Sequence, residues 1–188
     1  MCGAGPDGFT LVDPFPPTSV LERLTDPRAP TVVEPLLREY VEWVAARLAA
    51  EWGLQFVDAD LELHHAHFRA EVPKLLAPGG RLIVARRAGE LVGVGAIKPV
   101  DTEMAEIKRM YVRPVARGSG VGRAILERLL DDGRDEGYRA VRLETFRFML
   151  EAHALYRSVG FANTAAFDGS EAAISGLADL TYYMELML

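Results

Sequence analysis

The sequence predicts a mixed α/β domain, about seven strands in one sheet with about four helices on its two faces. Three observations predict it. Short β-branched and aromatic runs recur between clusters of Gly, Pro and Asp, as strands do. Longer runs repeat apolar residues at i, i+3, i+4 and i+7, as amphipathic helices do. At 188 residues, with 49% hydrophobic and 26% charged side chains, the chain suits one domain that can bury a core.

The elements follow in order. Residues 1–17, rich in Gly, Pro and Asp, are expected to be a mobile tail before a single domain over residues 18–188. Val20, Leu21 and Leu24 suggest a first strand over 18–24, and Asp26 to Pro30 a turn. Val33, Leu36, Leu37, Tyr40, Val41, Val44 and Leu48 share one face of a long helix that Gly53 stops. Thr31 and Glu34 have capping-box spacing, and Pro35 calls for an early position in that helix. A weaker helix is expected over 58–71, with Asp58 or Asp60 as N-cap, and a loop from Pro73 to Gly80. Arg81 to Arg87 and Leu91 to Ile97 are strands joined by Ala88-Gly89-Glu90, which has hairpin chemistry.

The next stretch organises the rest. Glu103 to Val112 reads as a strand closed by Pro114, and Val121, Ile125, Leu126, Leu129 and Leu130 mark one face of a helix over 119–136. A strand follows over 141–145, then a run with helical spacing at Ala152, Leu155, Tyr156 and Val159. Residues 162–167 suit a strand, 168–179 a loop, and 181–187 a last strand.

Composition excludes several classes. The net charge of −6 argues against a nucleic-acid surface and suits a cationic acceptor. No apolar run approaches the ~18 residues of a membrane span. The N-terminus lacks the basic and apolar regions of a signal peptide, and the single cysteine, Cys2, excludes an internal disulfide, so a cytoplasmic protein is expected. His64, His65 and His67 bring only His153 as a further histidine, too few for a zinc site, and no metal is expected. Trp43 and Trp52 are expected to pack.

Between the strand ending at Val112 and the helix at Val121 lies Arg117-Gly118-Ser119-Gly120-Val121-Gly122. A strand, a glycine turn and a helix N-terminus leave backbone N–H groups free for an anion, and Arg109, Arg113, Arg117 and Arg123 are near in sequence. No Lys follows as in a Walker loop, and the glycine spacing is not that of a dinucleotide fingerprint. The spacing Arg-x-x-Gly-x-Gly, met by Arg117, Gly120 and Gly122, resembles the acyl-CoA diphosphate loop of the GNAT family of N-acetyltransferases. A second run, Ala152, Tyr156, Gly160 and Phe161, resembles the Ala-x-x-x-Tyr-x-x-x-Gly-Phe signature of that family. The likeness is good over about residues 80–162 and looser elsewhere.

The resemblance implies a mostly antiparallel sheet and acetyl-CoA as cosubstrate, bound by Arg117, Gly118, Ser119, Gly120, Val121 and Gly122 and by Met110, Tyr111 and Val112, whose backbone pairs with the pantetheine arm. A backbone N–H near Met110 would face the thioester oxygen. Glu106, eleven residues before Arg117, has the register of a general base in one branch of the family. Tyr156 matches the tyrosine that protonates the departing thiolate. Met149 stands where the family often has Asn, which removes that contact. One of the three clustered histidines could touch the acceptor, and the 168–179 loop could shape its choice. With no cysteine in the core, direct attack by a primary amine of a small molecule in a ternary complex is expected. The alternatives are a protein N-terminal or lysine acetyltransferase, and a non-catalytic acyl-CoA-binding regulator. A homodimer is allowed but not required.

Overall fold

A computed structural model describes residues 19–26 and 28–188. The expected tail over 1–17, with Cys2, lies outside the described residues. One seven-stranded sheet runs in the order β1 (Val20–Arg23), β2 (Arg81–Arg87), β3 (Glu90–Pro99), β4 (Met104–Val112), β5 (Ala140–Phe146), β7 (Thr181–Met187), β6 (Ala162–Thr164). Only β4 and β5 pair in parallel, and every other neighbouring pair is antiparallel. The β2–β3 hairpin turns on Ala88 and Gly89 with φ of 50° and 85°, the left-handed pair that a two-residue hairpin needs.

Helices α1 (Ala29–Trp52) and α2 (Asp58–Leu76) cover one face, and α3 (Val121–Asp135) and α4 (Leu150–Ser158) the other. The strands alternate accordingly. In β2, Leu82 and Val84 enter the core under α1 and α2, while Ile83 and Ala85 enter the core under α3. The expected face of α3 is buried from Val121 to Leu130.

Three expectations need correction. Helix α1 begins at Ala29, two residues before Thr31, so Thr31 is no N-cap. The Asp26 carboxylate accepts from the Arg28 N–H, and Glu34 pairs with Arg38 and Arg69 instead of reaching back. Pro35 is tolerated because the carbonyl it leaves unpaired, on Thr31, belongs to the exposed first turn. Helix α2 runs five residues past 71 and through Pro73, because Val72 and Leu75 are buried in the core and hold the last turn. Its N-cap is Val57, whose N–H donates to Asp60 at 3.0 Å, so Asp60 stands at the third helical position. The expected loop 168–179 contains a fifth short helix, α5 (Glu171–Ile174), capped by Ser170, whose hydroxyl accepts from the Ala173 N–H at 3.1 Å.

Candidate active site

Strands β4 and β5 part company early. They pair at Met104, Ala105 and Glu106 and then diverge, although β4 continues to Val112 and β5 to Phe146. From Ile107 onward the β5-facing edge of β4 has no strand partner among the described residues. The same stretch carries a bulge. Arg109 has φ of 59°, and the β3–β4 register slips between Val94 and Ala96, setting two β4 residues against Gly95. Gly95 makes the room, since a Cβ there would lie 2.5 Å from Met110 Sδ and 2.6 Å from Ile125 Cγ2. The bulge changes which face each side chain takes. Ile107 belongs to the core under α3, yet Tyr111, four residues on, belongs to the core under α1.

Beyond β4 the chain makes a one-turn 3-10 helix at Pro114–Ala116 and enters the glycine turn. Gly118 and Gly120 have φ of 71° and 86°, with open space where a Cβ would be. Among the described residues, no acceptor within the protein is found for the N–H groups of Gly118, Ser119, Gly120, Val121 and Gly122. Five consecutive free donors at a helix N-terminus form an anion cradle. Arg87 Nη2 donates to Ser119 Oγ at 2.5 Å, and Arg123 to Ser158 Oγ at 2.7 Å, so two guanidiniums flank it. The Arg117 side chain turns away, donating to the Val112 carbonyl at 3.0 Å and lying over the Trp43 ring at 4.9 Å.

On the α1 side of the strand gap a cavity opens, about 880 Å³ with its mouth. Its apolar wall includes Val41, Val44, Leu48, Phe56, Leu61 and Phe146, and its polar floor Lys108, Arg109, Glu144 and Glu171. Lys108 and Arg109 are consecutive, yet the bulge brings both to this cavity. Lys108 Nζ lies 3.1 Å from Glu171, 3.2 Å from Glu106, 3.8 Å from Glu144 and 4.0 Å from Glu71. Burial alone would lower its ammonium, but Glu171, Glu106 and Glu71 outweigh that and hold it above its ordinary value. Arg109 grips Glu171 with both Nη atoms, at 2.7 and 3.0 Å, and Glu71 at 2.9 Å. Burial would raise the Glu171 carboxyl, yet Arg109 and Lys108 bring it down to about 2. Glu144 accepts from Ser170 Oγ at 2.6 Å and from the N–H groups of Glu171 and Ala172 at 3.0 and 3.2 Å, so it ties the α5 segment to β5.

The residues named from the sequence fall as follows. Glu106 is buried where the strands begin to part, its Oε2 3.3 Å from Arg142 Nη2. Its Oε1 is near Lys108 but receives no hydrogen bond, and Glu106 does not line the cavity. Tyr156 is buried in the α3-side core against Phe161, and burial, with a smaller push from Tyr40, raises its phenol well above the ordinary value. His64 lines the cavity; His65 is buried and His67 exposed. His153 packs on Tyr182, its Nε2 2.9 Å from the Phe146 carbonyl. Of the four arginines near the turn in sequence, Arg109 goes to the cavity and Arg113 pairs with Glu39. Trp43 packs among Tyr40, Tyr111 and Phe148. Met149 Sδ accepts from Thr145 Oγ1 at 3.6 Å.

Sequence reasoning did not single out Tyr40, Glu71, Glu144 or Glu171. Tyr40, on the apolar face of α1, lines the cavity with its phenol pushed up to about 12 by burial. The three carboxylates come from α2, β5 and α5, and no spacing in the chain connects them. Among the described residues no group of three His, Cys, Asp or Glu side chains has a metal-binding arrangement, and no helix is long and apolar enough to cross a membrane.

Comparisons with known proteins converge on one family. Residues 38–161 match the sequence model of the Acetyltransferase (GNAT) family. An IAA acetyltransferase of Azospirillum brasilense is 43% identical over 110 residues, 57% of this chain and 71% of that one. The N-acetyltransferase YjgM of Escherichia coli K12 is 29% identical over 150 residues, 78% of this chain and 83% of its own. Among solved structures, the PaiA N-acetyltransferase of Thermoplasma acidophilum in complex with coenzyme A superposes with a TM-score of 0.69 at 15% identity, over 91% of this chain and 99% of that one. At that identity the likeness speaks for the fold.

Proposed function

The chain belongs to the GNAT acetyltransferase family and is an acyltransferase, and from that premise we propose that it moves an acetyl group from acetyl-CoA to a primary amine of a small molecule. The observation that carries the cosubstrate is the row of five unpartnered N–H groups from Gly118 to Gly122. Such a row suits a diphosphate, and Arg87 and Arg123 add positive charge beside it. The unpaired edge of β4 past Glu106 offers Met110, Tyr111 and Val112 as backbone partners for an extended arm. Acetyl-CoA supplies an acyl group activated as a thioester.

The residues of the chain divide the remaining work. A backbone N–H beside the bulge at Met110 polarises the carbonyl oxygen. Glu106 Oε1, a buried carboxylate oxygen that accepts no hydrogen bond and lies 3.2 Å from the Lys108 ammonium, takes the proton that the amine must lose. Because Glu106 does not line the cavity, that transfer needs a carrier such as one water. Tyr156, kept protonated by burial, gives a proton to the departing sulfur. Among the described residues no thiol lines the cavity, in keeping with direct attack with both substrates bound. The walls of the cavity come from α1, α2, β4, β5 and the 171–181 segment, an enclosure that favours a small acceptor over a protein chain.

Calorimetry with acetyl-CoA and a CoA-release assay over a panel of amines and peptides test this reading. Saturable heat and release with small amines are expected. Tyr156→Phe and Glu106→Gln should each lower kcat by about 10²–10⁴-fold with acetyl-CoA affinity little changed. Absent heat with acetyl-CoA would defeat the reading, and unchanged kcat in both variants would remove the two roles.

A further inference from the structure

The charges around the cavity floor fall into two groups. Lys98, Lys108, Arg109 and Arg142 meet Glu71, Glu106, Glu144 and Glu171 in one cluster. Seven of the eight stand on α2 or the sheet. Glu171 alone stands on α5, a four-residue helix between Gly169 and Gly176, whose φ values are 76° and 71°. Its side chain is 40% exposed, against 3–21% for the others. Without Glu171 the fixed frame holds four cations and three carboxylates, one negative charge short. The shortfall centres on Lys108 and Arg109, the two cations that Glu171 touches. Arg109 Nε is buried and unpartnered even with Glu171 in place.

We propose that Glu171 is a resident stand-in for a carboxylate carried by the acceptor, and that the acceptor is an α-amino acid with an apolar side chain. The proposal rests on the acetyltransferase reading above and narrows its acceptor. Arg109 holds Glu171 through two parallel N–H···O bonds, the fork geometry that recognises a free carboxylate. Arg109 lines the cavity together with Ile107 and Lys108 of the opened stretch of β4, so a carboxylate on its guanidinium puts the adjacent α-amine in the same cavity. The side chain of the amino acid then meets Val41, Val44, Leu48 and Leu61. Left-handed backbone is strained for a non-glycine residue, and here that conformation turns Arg109 into the cavity. An amine lacking a carboxylate would have to leave Glu171 in place or face a buried cluster one negative charge short. The transfer itself is unaltered: the amine nitrogen bonds the acetyl carbon, the carbon–sulfur bond breaks, one proton leaves the amine and one goes to sulfur.

The test compares leucine and phenylalanine with 3-methylbutylamine and 2-phenylethylamine, which lack only the carboxylate, in the CoA-release assay. The amino acids should show kcat/KM about tenfold to a hundredfold higher, the scale of a charged hydrogen-bonded contact. Glu171→Gln should lower KM for the amino acids and widen their preference over the amines, because it weakens the internal competitor for the carboxylate. A rise in amino-acid KM would mean that Glu171 binds the ammonium, and would overturn the proposal. Equal or better use of the plain amines would also overturn it, as would neither turnover nor calorimetric binding of millimolar amino acid to the CoA-loaded protein. Acetyl-CoA binding is read separately, so loss of carboxylate preference with that heat intact defeats this inference alone.

Discussion

At the scale of single residues, Lys108 holds the site together. One buried ammonium faces four carboxylates within 4.0 Å, so its removal leaves Glu106 and Glu71 short of compensation. Lys108→Met should destabilise the protein by about 3–5 kcal/mol near pH 7, measured by urea unfolding. The pH dependence has a definite sign. The folded Lys108 lies above its ordinary value, so its contribution is fully present at neutral pH. Glu171 drops from an ordinary 4.5 to about 2, so its share is present above pH 4.5 and fades as pH falls toward 2. The wild type and Lys108→Met curves should therefore converge on acidification. Divergence would mean that the cluster does not act through charge. Neither Lys108 nor Glu171 was legible as a cluster member from the sequence. Ion pairing across 27 to 63 positions leaves no local signature, and only the neighbours Glu106 and Lys108 could be placed on one strand face.

At the scale of elements, regular pattern was legible and irregular pattern was not. The i, i+3, i+4 spacing of α3 and the β-branched runs of β2 to β4 are set by burial against the sheet, and they fell where periodicity put them. Pro73 and the Gly- and Ser-rich run near 170 misled, because tertiary contacts overrode local propensity: Leu75 anchors the end of α2, and Glu144 captures the start of α5. The glycine turn belongs to the legible part, since its chemistry is local. Gly120→Ala gives no clash, as open space surrounds the site, so its effect is purely conformational. Holding φ at 86° should cost about 1–2 kcal/mol. Calorimetry should show acetyl-CoA affinity down by about tenfold, with a Tm lower by several degrees. A variant of undiminished affinity would detach the turn from the cosubstrate.

At the scale of the molecule, the partial separation of β4 and β5 joins two halves of the chemistry. The cavity and its charges lie on the α1 side, Tyr156 on the α3 side, and the unpaired edge of β4 runs between them. Hydrogen exchange with added CoA should slow at residues 107–112 and 118–122 and remain unchanged across β2 and β7; a uniform slowing would speak for global stabilisation instead. The sequence announced the sheet and both ends of this arrangement, but not the bulge, because a single extra residue leaves strand composition unaltered. That extra residue is Arg109. Strike it out, and β4 alternates without interruption, with Met110 opposite Gly95, Tyr111 still on the α1 side and Ile107 still beneath α3. Arg109 is thus supernumerary to the sheet alone: the strands could be drawn without it, while its side chain fastens Glu71 of α2 and Glu171 of α5 to the floor of the cavity.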